Sequence, residues 1–481
     1  MSRPIRLLIM CLLGVIAAIA LPVAAAVAAS PPALTEAQAQ QVGTDAYVYG
    51  ASLMEFLRQQ QQNTSVTVPD KLGDAPINQL GSDATLATPN NAAFVAPNLD
   101  TLYTFGHLNL TNGPLVLHVP KVSGGRYYVF EFLDPYTNVF HYVGTRTTGN
   151  GAGNYAIIGP KFHGKLPAGL HRIDSTYEDI WLAGRTQVYG PSDIPAVHKI
   201  QAAYKLIPLK AYEKVGLNYT PPKPHKIITT HTVATVPTGL AYFDALGTAL
   251  AENPPPARDH AILAELKTAG IGPGLHPSSE NLPAATLAGL TAAGTTSGPA
   301  QVTADRATLA LTSAKQHDGW YVAPSNIGNF GTDYSLRAVV AVYGIAANLP
   351  AEAMYPVGVL DNTGSPLSGT DSYVIHFNAG QLPPAKYFWS ITMYNFDDYL
   401  TSNPINRYEI SNRTPGVKYG PGHSLDIYIS STQPAGHESN WLPCPSSGQI
   451  VPIMRMYGPG KSALDGTYQY PTITQVPDGT N

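Results

Sequence analysis

The chain has 481 residues, only 12% of them charged, and a formal net charge of -4 at pH 7. Binding to nucleic-acid phosphates needs clustered Lys and Arg, and no block of like charges occurs, so we expect no nucleic-acid partner. The 44 glycines, 43 prolines and 28 tyrosines indicate many turns and many half-buried pleated surfaces, which predicts a β-rich protein.

The amino terminus has the pattern of a secretory signal peptide. Arg3 and Arg6 precede an apolar run over residues 7–21, and residues 26–28 supply small side chains for cleavage. A run of about 15 apolar residues is too short to cross a bilayer comfortably. We therefore expect a signal peptide over residues 1–28, a periplasmic or secreted mature protein, and no stable membrane span after cleavage.

Cys444 is the sole cysteine of the expected mature chain, so no intramolecular disulfide can form. A single cysteine without a nucleophile signature is most often a small buried hydrophobe. Roughly 450 mature residues exceed what one hydrophobic core usually serves, which favours two domains.

The first predicted domain spans residues 29–224. Apolar residues at a 3.6-residue period predict a helix over residues 36–60, with Thr35 as its amino-terminal cap. Apolar and polar residues then alternate between residues 101 and 146, which predicts antiparallel strands. Further segments complete the expected domain: strands over 155–158 and 180–189 that extend the same sheet, and a helix over 193–209.

A helical connector is predicted over residues 225–327, because strand patterns vanish there. Helices are expected over 239–252, 258–269 and 304–315. After it, residues 328–481 predict a second β-rich domain of sandwich or jelly-roll type. Its expected elements are a helix over 334–349 and strands over 373–377, 388–394, 425–430 and 449–457. The predicted fold class is α+β, with two antiparallel β domains joined by the helical connector.

Motifs of the large enzyme classes are absent from the sequence. There is no Gly-x-Ser-x-Gly elbow, no phosphate-binding Gly-x4-Gly-Lys loop, no dinucleotide fingerprint and no His-Glu-x-x-His helix. The glycine-rich run 144–153 could cradle an anion, but a wide turn is the favoured interpretation. No cofactor is predicted, and a divalent metal is left open because ligands from distant strands leave no local spacing.

Polar and aromatic residues are dense in strand-like runs of otherwise low charge. Amides, hydroxyls and aromatic faces suit a pocket for a small polar or aromatic ligand, although each such residue could equally hold a turn or a buried network. The substrate-binding candidates are Asn98, Tyr103, Tyr136, Asn138, Trp389, Asn403, Asn440, Trp441 and Arg455. The catalytic candidates are Asp100, Asp134, Arg146 and Arg407.

Several of these runs resemble a known pair of bacterial families. The segments 97–103, 113–117, 125–128, 133–139 and 149–153 resemble the domain-of-unknown-function family 1254. The segments 328–334, 388–394, 403–408, 440–443 and 464–467 resemble its usual companion, family 1214. The resemblance implies a β-rich amino-terminal domain, a jelly-roll-like carboxy-terminal domain and export, but no settled catalytic residues. Family members commonly have Asn-Asn-Asp-Thr where this chain has residues 98–101, Asn-Leu-Asp-Thr.

Two functions remain open at this point. The first is an exported hydrolase or lyase acting on a small polar or aromatic substrate between the two β domains. Asp100 or Asp134 would then be the acid or base, while Arg146, Arg407 or Arg455 would orient a carboxylate. The alternative is a non-catalytic ligand-binding or envelope-structural protein. A small-molecule ligand is expected in the first case, and a homo-oligomer is left open. We also expect Trp389, Trp441 and Tyr136 to be buried, and Asn98, Asp100 and Arg146 to lie close together.

Overall fold

The structure is a computed structural model that describes residues 33–90 and 95–477. The expected signal peptide lies outside these residues. The chain from Leu34 onward forms one unit. No helix of the described segments is long and apolar enough to span a bilayer.

Helices dominate the amino terminus and the middle of the chain. They are α1 Glu36–Asn63, α2 Ile194–Gln201, α3 Leu209–Val215, α4 Leu240–Glu252, α5 His260–Lys267, α6 Ala284–Ala292, α7 Gly298–Ala314, α8 Tyr334–Tyr343 and α9 Lys461–Leu464. The cap expected at Thr35 is confirmed, because its Oγ1 accepts from Gln38 N at 3.2 Å while Gln38 Oε1 accepts from Thr35 N at 3.0 Å.

The strands form two groups along the chain, one before helices α4 to α7 and one after them. The amino-terminal strands are β1 Gly81–Ser82, β2 Thr101–Asn109, β3 Leu115–Val119, β4 Tyr128–Leu133, β5 Val139–Gly144, β6 Gly153–Ile158, β7 His171–Asp174, β8 Asp179–Gln187 and β9 Lys205–Pro208. The carboxy-terminal strands are β10 Trp320–Tyr321, β11 Ala353–Met354, β12 Val357–Gly358, β13 Ser372–Phe377, β14 Ala385–Asn395, β15 Glu409–Ser411, β16 Leu425–Ser430, β17 Trp441–Pro443, β18 Ile450–Pro459 and β19 Ile473–Val476.

The amino-terminal strands form two sheets that share a core. Sheet I has the order β1-β2-β8-β4-β5, and sheet II has the order β7-β6-β3-β9. Because side chains alternate along a strand, one face of sheet I supplies Phe130 and Leu182 to the core shared with Leu117 and Ile157 of sheet II. The side chains on the opposite face of sheet I do not belong to this core.

The carboxy-terminal strands repeat this arrangement. Sheet III has the order β10-β12-β18-β14-β15, with β11 also on β18, and sheet IV has the order β17-β16-β13-β19. Ile391 and Met454 of sheet III pack against Ile375 and Ile427 of sheet IV. The β-rich α+β class is thus confirmed, whereas the finer sandwich or jelly-roll assignment stays a prediction.

The second faces of sheets I and III pack against each other. One apolar cluster joins Tyr127 and Ala183 of sheet I to Phe388 and Tyr457 of sheet III. The rings of Phe388 and Tyr457 stack at a centroid distance of 4.4 Å. The two β-rich halves therefore meet through sheet faces, and the polar side chains on those faces become buried.

The helices form a separate layer around α1. Leu53 of α1, Leu246 of α4 and Leu290 of α6 share one core. Gly43 permits this contact, because a Cβ there would lie 2.6 Å from the Cβ of Ala293. Helices α4 to α7 lie within residues 225–327, as the sequence pattern indicated, although α6 was not predicted.

Three expectations about the elements were wrong in detail. The helix expected over 193–209 ends at Gln201, because Leu206 and Ile207 are buried in β9, which pairs with β3. The strand over 155–158 belongs to sheet II rather than extending the sheet of β8. The helix expected over 334–349 ends at Tyr343, where Gly344 leaves the helical region.

Candidate functional site

The segment 96–100, just before β2, crosses from the amino-terminal half onto sheet III. Pro97 O accepts a hydrogen bond from Tyr394 Oη at 2.5 Å, and Ala96 O accepts one from Arg455 Nη2 at 2.8 Å. Ala96 N donates to Asp398 O at 2.8 Å. These contacts attach the predicted motif of residues 97–103 to the opposite half of the protein.

Asn98 shapes this crossing. Its Oδ1 accepts from the backbone nitrogens of Asp100 at 2.9 Å and Thr101 at 2.8 Å, and its Nδ2 donates to the hydroxyl of Tyr103. Asn98 is 2% exposed. The amide therefore positions Asp100 at the start of β2, which is how an Asn in a turn usually acts.

Asp100 is fully buried and both of its carboxylate oxygens are engaged. Oδ2 accepts from Ser390 Oγ at 2.6 Å, and Oδ1 accepts from Arg413 Nη2. The ionic partner of Asp100 is thus Arg413, whereas Arg146 pairs with Glu352. With one hydrogen bond to each oxygen, Asp100 is well placed to orient Arg413.

Arg455 is the buried cation of the site without a carboxylate partner. It is 3% exposed, and among the described residues no ion pair reaches it. Its Nη2 donates to a backbone carbonyl, its guanidinium lies 5.5 Å from the ring of Tyr394, and its Nη1 has no hydrogen-bond partner in the described part of the chain. Leaving such a donor unsatisfied is costly, so the position favours a ligand that brings negative charge.

Glu409 lies on the same face of sheet III. The register of β14 and β15 places it opposite Thr392, whose Oγ1 donates to Glu409 Oε2 at 3.4 Å. Burial, followed by the negative charge of Asp100, raises the pKa of Glu409 to about 8. Glu409 is therefore mostly protonated at pH 7 and can donate a proton.

Sheet I contributes an ion pair to the same region. Arg185 Nη1 donates to Glu131 Oε2 at 2.7 Å, and Arg185 Nη2 donates to Ala346 O at 2.8 Å. Glu131 is fully buried, and within residues 33–90 and 95–477 its Oε1 has no hydrogen-bond partner. Burial raises the pKa of Glu131 to about 7, although Arg185 opposes this shift.

Tyrosines surround these charges. Arg185 lies 5.6 Å from the ring of Tyr103, and the rings of Tyr355 and Tyr457 are 6.3 Å apart. Burial raises the pKa values of Tyr355, Tyr394 and Tyr457 above the ordinary range, so their phenols stay neutral at pH 7. Neutral phenols supply flat apolar faces together with hydroxyl donors.

We call this group the interdomain cluster. Its members are Asp100, Tyr103, Glu131, Arg185, Tyr355, Tyr394, Glu409, Arg413, Arg455 and Tyr457. Two ion pairs, Arg185 with Glu131 and Arg413 with Asp100, cancel when both carboxyl groups are ionised. With Glu409 protonated, the charge of Arg455 is then left over, and among the described residues Nη1 of Arg413 is a second buried donor without a partner. The cluster is therefore suited to one negative charge.

Three of the sequence candidates, Asp100, Tyr103 and Arg455, belong to the cluster, and Asn98 is hydrogen-bonded to two of them. Arg146 reaches its edge through Glu352, whose other oxygen accepts from Tyr127 Oη at 2.7 Å. The remaining candidates hold the fold elsewhere. They are Asp134, Tyr136, Asn138, Trp389, Asn403, Arg407, Asn440 and Trp441.

Specific contacts show what these outlying residues do. Arg407 Nη1 donates to the carbonyls of Glu438 at 2.9 Å and Trp441 at 2.8 Å, which joins two loops. Trp389 lies in the core between sheets III and IV, and Asn440 Nδ2 donates to two carbonyls. The expected burial of Trp389, Trp441 and Tyr136 is confirmed at 4%, 2% and 1% exposure.

Asp134 stabilises a turn. Its carboxylate accepts from Tyr136 N at 2.9 Å and from both the backbone and side-chain nitrogens of Asn138. We expect Asp134→Ala to lower the free energy of unfolding by roughly 1–3 kcal/mol, because these donors lose their acceptor. Urea denaturation checks this loss, and ligand binding at the interdomain cluster should be unchanged in the same variant. A variant as stable as the wild type would contradict this role.

Two family models match the segments of the chain that contribute to the cluster. A model for a protein of unknown function, DUF1254, matches residues 77–208, and a second, DUF1214, matches residues 352–461. The two matches occur in the order DUF1254 and then DUF1214 along the chain. Glu131 and Arg185 lie in the DUF1254 segment, and Glu409 and Arg455 lie in the DUF1214 segment. The cluster therefore forms where the two segments meet.

Two solved structures are similar to the chain. The VPA0106 protein from Vibrio parahaemolyticus is 22% identical, with a TM-score of 0.64, and the match covers 91% of this chain and 100% of that one. A putative uncharacterized protein from Burkholderia cenocepacia is 10% identical with a TM-score of 0.45, over 91% of this chain and 94% of that one. A search of curated proteins gives no significant match. The first structure supports the fold alone.

Sequence reasoning missed Glu131, Arg185, Glu409 and Arg413. Glu409 had a usable signal, because Glu409-Ile410-Ser411 alternates and places a carboxylate on the face opposite a buried Ile. Arg413 pairs with a residue 313 positions away, and no local pattern encodes such a pairing.

Proposed function

We propose that the protein binds a small organic monoanion at the interdomain cluster and acts on it by acid–base chemistry, as a hydrolase or lyase. The observation that carries this proposal is Arg455, a buried guanidinium with an unpartnered Nη1 and no carboxylate partner among the described residues. A carboxylate is the matching group, since it accepts charge-assisted hydrogen bonds from guanidinium nitrogens.

The rest of the ligand is expected to be flat and apolar with few polar groups. Tyr103, Tyr355 and Tyr457 present rings and hydroxyls to the region between the sheets. Rings of this kind favour aromatic or unsaturated ligands through offset or edge contacts. An aromatic or unsaturated carboxylate therefore fits both the charge and the lining.

Glu409 is the proposed proton donor. Its raised pKa keeps the proton available at pH 7, and an acid whose pKa lies near the working pH is most effective in general acid catalysis. Glu131, on sheet I, also has a pKa raised by burial, to about 7. Two carboxyl groups with raised pKa values, one from each sheet, would give the site a proton donor and a proton acceptor.

The first experiment is a screen of the purified mature protein against benzoate, 4-hydroxybenzoate, cinnamate, fumarate and acetate. A bound ligand raises the melting temperature, and NMR of the mixture then shows whether the compound is converted. Aromatic acids should raise the melting temperature more than acetate. A screen in which no carboxylate shifts the melting temperature would contradict the proposal.

Anion affinity should depend on pH through Glu409. Neutral Glu409 leaves the site with one positive charge, whereas ionised Glu409 cancels it. With a pKa of about 8, the protonated fraction falls about tenfold between pH 7 and pH 9, so the apparent Kd should rise about tenfold. Calorimetric titration at the two pH values checks this. Glu409→Gln should flatten the dependence, and an unchanged slope in that variant would assign it to another group.

A non-catalytic binding protein is the second candidate function. The observation that favours it is that both oxygens of Asp100, one of the two acid or base candidates from the sequence, are hydrogen-bonded to Ser390 and Arg413 within the protein. Binding without turnover, at a site lost in Arg455→Gln, would support this alternative. In either case we propose that the protein acts outside the cytoplasm, on the basis of its amino-terminal sequence.

A further inference from the structure

Three buried polar atoms of the interdomain cluster have no hydrogen-bond partner in the part of the chain that the structure describes. Two of them, Arg455 Nη1 and Arg413 Nη1, are donors, and the third, Glu131 Oε1, is a carboxylate oxygen. Arg455 is 3% exposed and Glu131 is fully buried. Because an unpaired buried polar group is costly, each of these atoms favours a ligand group of the opposite hydrogen-bonding type.

The two donors belong to one end of the cluster. Arg413 Nη2 donates to Asp100 Oδ1, and Ser390 Oγ donates to Asp100 Oδ2 at 2.6 Å. Ser390 is directly opposite Arg455 in the register of β14 and β18. The charges of Arg413 and Arg455 also both lower the pKa of Glu409, against the larger effect of burial. One ligand carboxylate could therefore accept from both arginines, with one oxygen for each.

The unpartnered acceptor is on the other sheet. Glu131 Oε2 accepts from Arg185 Nη1 at 2.7 Å, and Arg185 Nη2 donates to Ala346 O at 2.8 Å. The ion pair leaves Oε1 of Glu131 for another donor. Since Arg185 already supplies the positive charge beside this carboxylate, the matching ligand group is a neutral donor, and a hydroxyl is the smallest one.

Tyrosine rings connect the two ends. The ring of Tyr103 lies 5.6 Å from the guanidinium of Arg185, and the Tyr103 hydroxyl acts electrostatically on both Arg185 and Arg455. Burial raises the pKa of Tyr457 well above its ordinary range, whereas the charges of Arg185 and Arg455 both lower it. Both tyrosines are thus within electrostatic reach of the donor end and of the acceptor end, where their rings could flank a planar ligand.

We infer that the ligand of the interdomain cluster is a hydroxylated aromatic carboxylate, with its carboxylate at Arg455 and Arg413 and its hydroxyl donating to Glu131 Oε1. This inference rests on the proposed anion site and adds the second polar group of the ligand and the orientation of its ring. The reversed orientation is disfavoured, because it would bring the ligand carboxylate to the carboxylate of Glu131.

The test is calorimetric titration of the purified protein at pH 8 with 4-hydroxybenzoate, 4-fluorobenzoate and benzoate. At this pH Glu131 is mostly ionised, since its pKa is about 7, and a phenolic hydroxyl keeps its proton. Fluorine is similar in size to a hydroxyl but cannot donate a hydrogen bond. We expect 4-hydroxybenzoate to bind at least about tenfold more tightly than either analogue, because only its hydroxyl satisfies the buried carboxylate oxygen.

Two changes at Glu131 test the position of the hydroxyl. In Glu131→Gln the acceptor becomes neutral, and the preference for 4-hydroxybenzoate over 4-fluorobenzoate should fall at least about fivefold. The double variant Glu131→Leu with Arg185→Met removes the acceptor together with its cation, so it serves even if Glu131→Gln folds poorly. It should lose the preference and still bind benzoate. The matched control is Asp174→Asn, at an exposed carboxylate paired with Arg172, and it should keep the wild-type preference.

The outcomes separate this inference from the proposed anion site. Equal Kd values for the three ligands in the wild type, with affinity lost in Arg455→Gln, would retain the anion site and overturn the inference. A wild-type protein that binds none of them would overturn both. A preference for 4-hydroxybenzoate that persists in Glu131→Gln and in the double variant would assign the hydroxyl to another acceptor, and the inference would again be wrong.

Discussion

Arg455→Gln is expected to lose at least about 30-fold in affinity for the anion found in the screen. Truncating one member of a buried, hydrogen-bonded charge pair costs roughly 2–5 kcal/mol of binding free energy, and Arg455 is the cation that the ligand would neutralise. In contrast, the free energy of unfolding should change by only about 1–2 kcal/mol, since the variant loses one hydrogen bond to Ala96 O but also removes an uncompensated buried charge.

The matched control is Arg407→Gln. Arg407 lies in the same half of the protein, and its Nη1 bonds to backbone carbonyls of loops rather than to the interdomain cluster. It should keep the wild-type Kd. Equal losses in both variants would show that the affinity reflects stability of the carboxy-terminal half and not an anion site at Arg455.

Part of this site could be predicted from the sequence. Asn98, Asp100 and Tyr103 belong to one short motif, and a polar run at the start of a strand indicates a turn with exposed or functional groups. Arg455 was recognisable as a charge inside an apolar strand. Asn98, Asp100 and Tyr103 lie near Arg455 because the segment 96–100 crosses onto sheet III. The sequence pattern did not indicate this crossing.

The partners of these residues could not be predicted, because they depend on how the two β-rich halves pack. Asp100 was expected near Arg146, yet the ion pair forms with Arg413. Similarly, Asp134 and Arg407 have the right chemistry for catalysis. However, Asp134 accepts hydrogen bonds within a turn, and Arg407 donates hydrogen bonds to backbone carbonyls of another segment. The local sequence pattern identifies the strands and the apolar face of each strand. Which sheet faces pack against each other depends on the whole chain.

Glu131→Ala is expected to lower the free energy of unfolding by about 3–5 kcal/mol. The substitution leaves the guanidinium of Arg185 buried without its ionic partner, and Arg185 is only 7% exposed. Urea denaturation at pH 8, above the pKa of Glu131, measures the effect. The double variant Glu131→Leu with Arg185→Met should recover most of the loss, because both charges are then removed.

A surface pair serves as the comparison. Arg172 and Asp174 are 48% and 63% exposed by side chain, and Asp174→Ala should cost less than about 1 kcal/mol. If Glu131→Ala costs no more than Asp174→Ala, the pair between Glu131 and Arg185 is accessible to water. The description of the interdomain cluster as closed to water would then be wrong.

The most direct test of the interdomain site is a crystal structure of the protein with the tightest-binding carboxylate from the screen. Our account predicts the carboxylate within hydrogen-bonding distance of Arg455 Nη1, with its apolar part against Tyr103 and Tyr457. A carboxylate bound elsewhere, with water at Arg455, would contradict it.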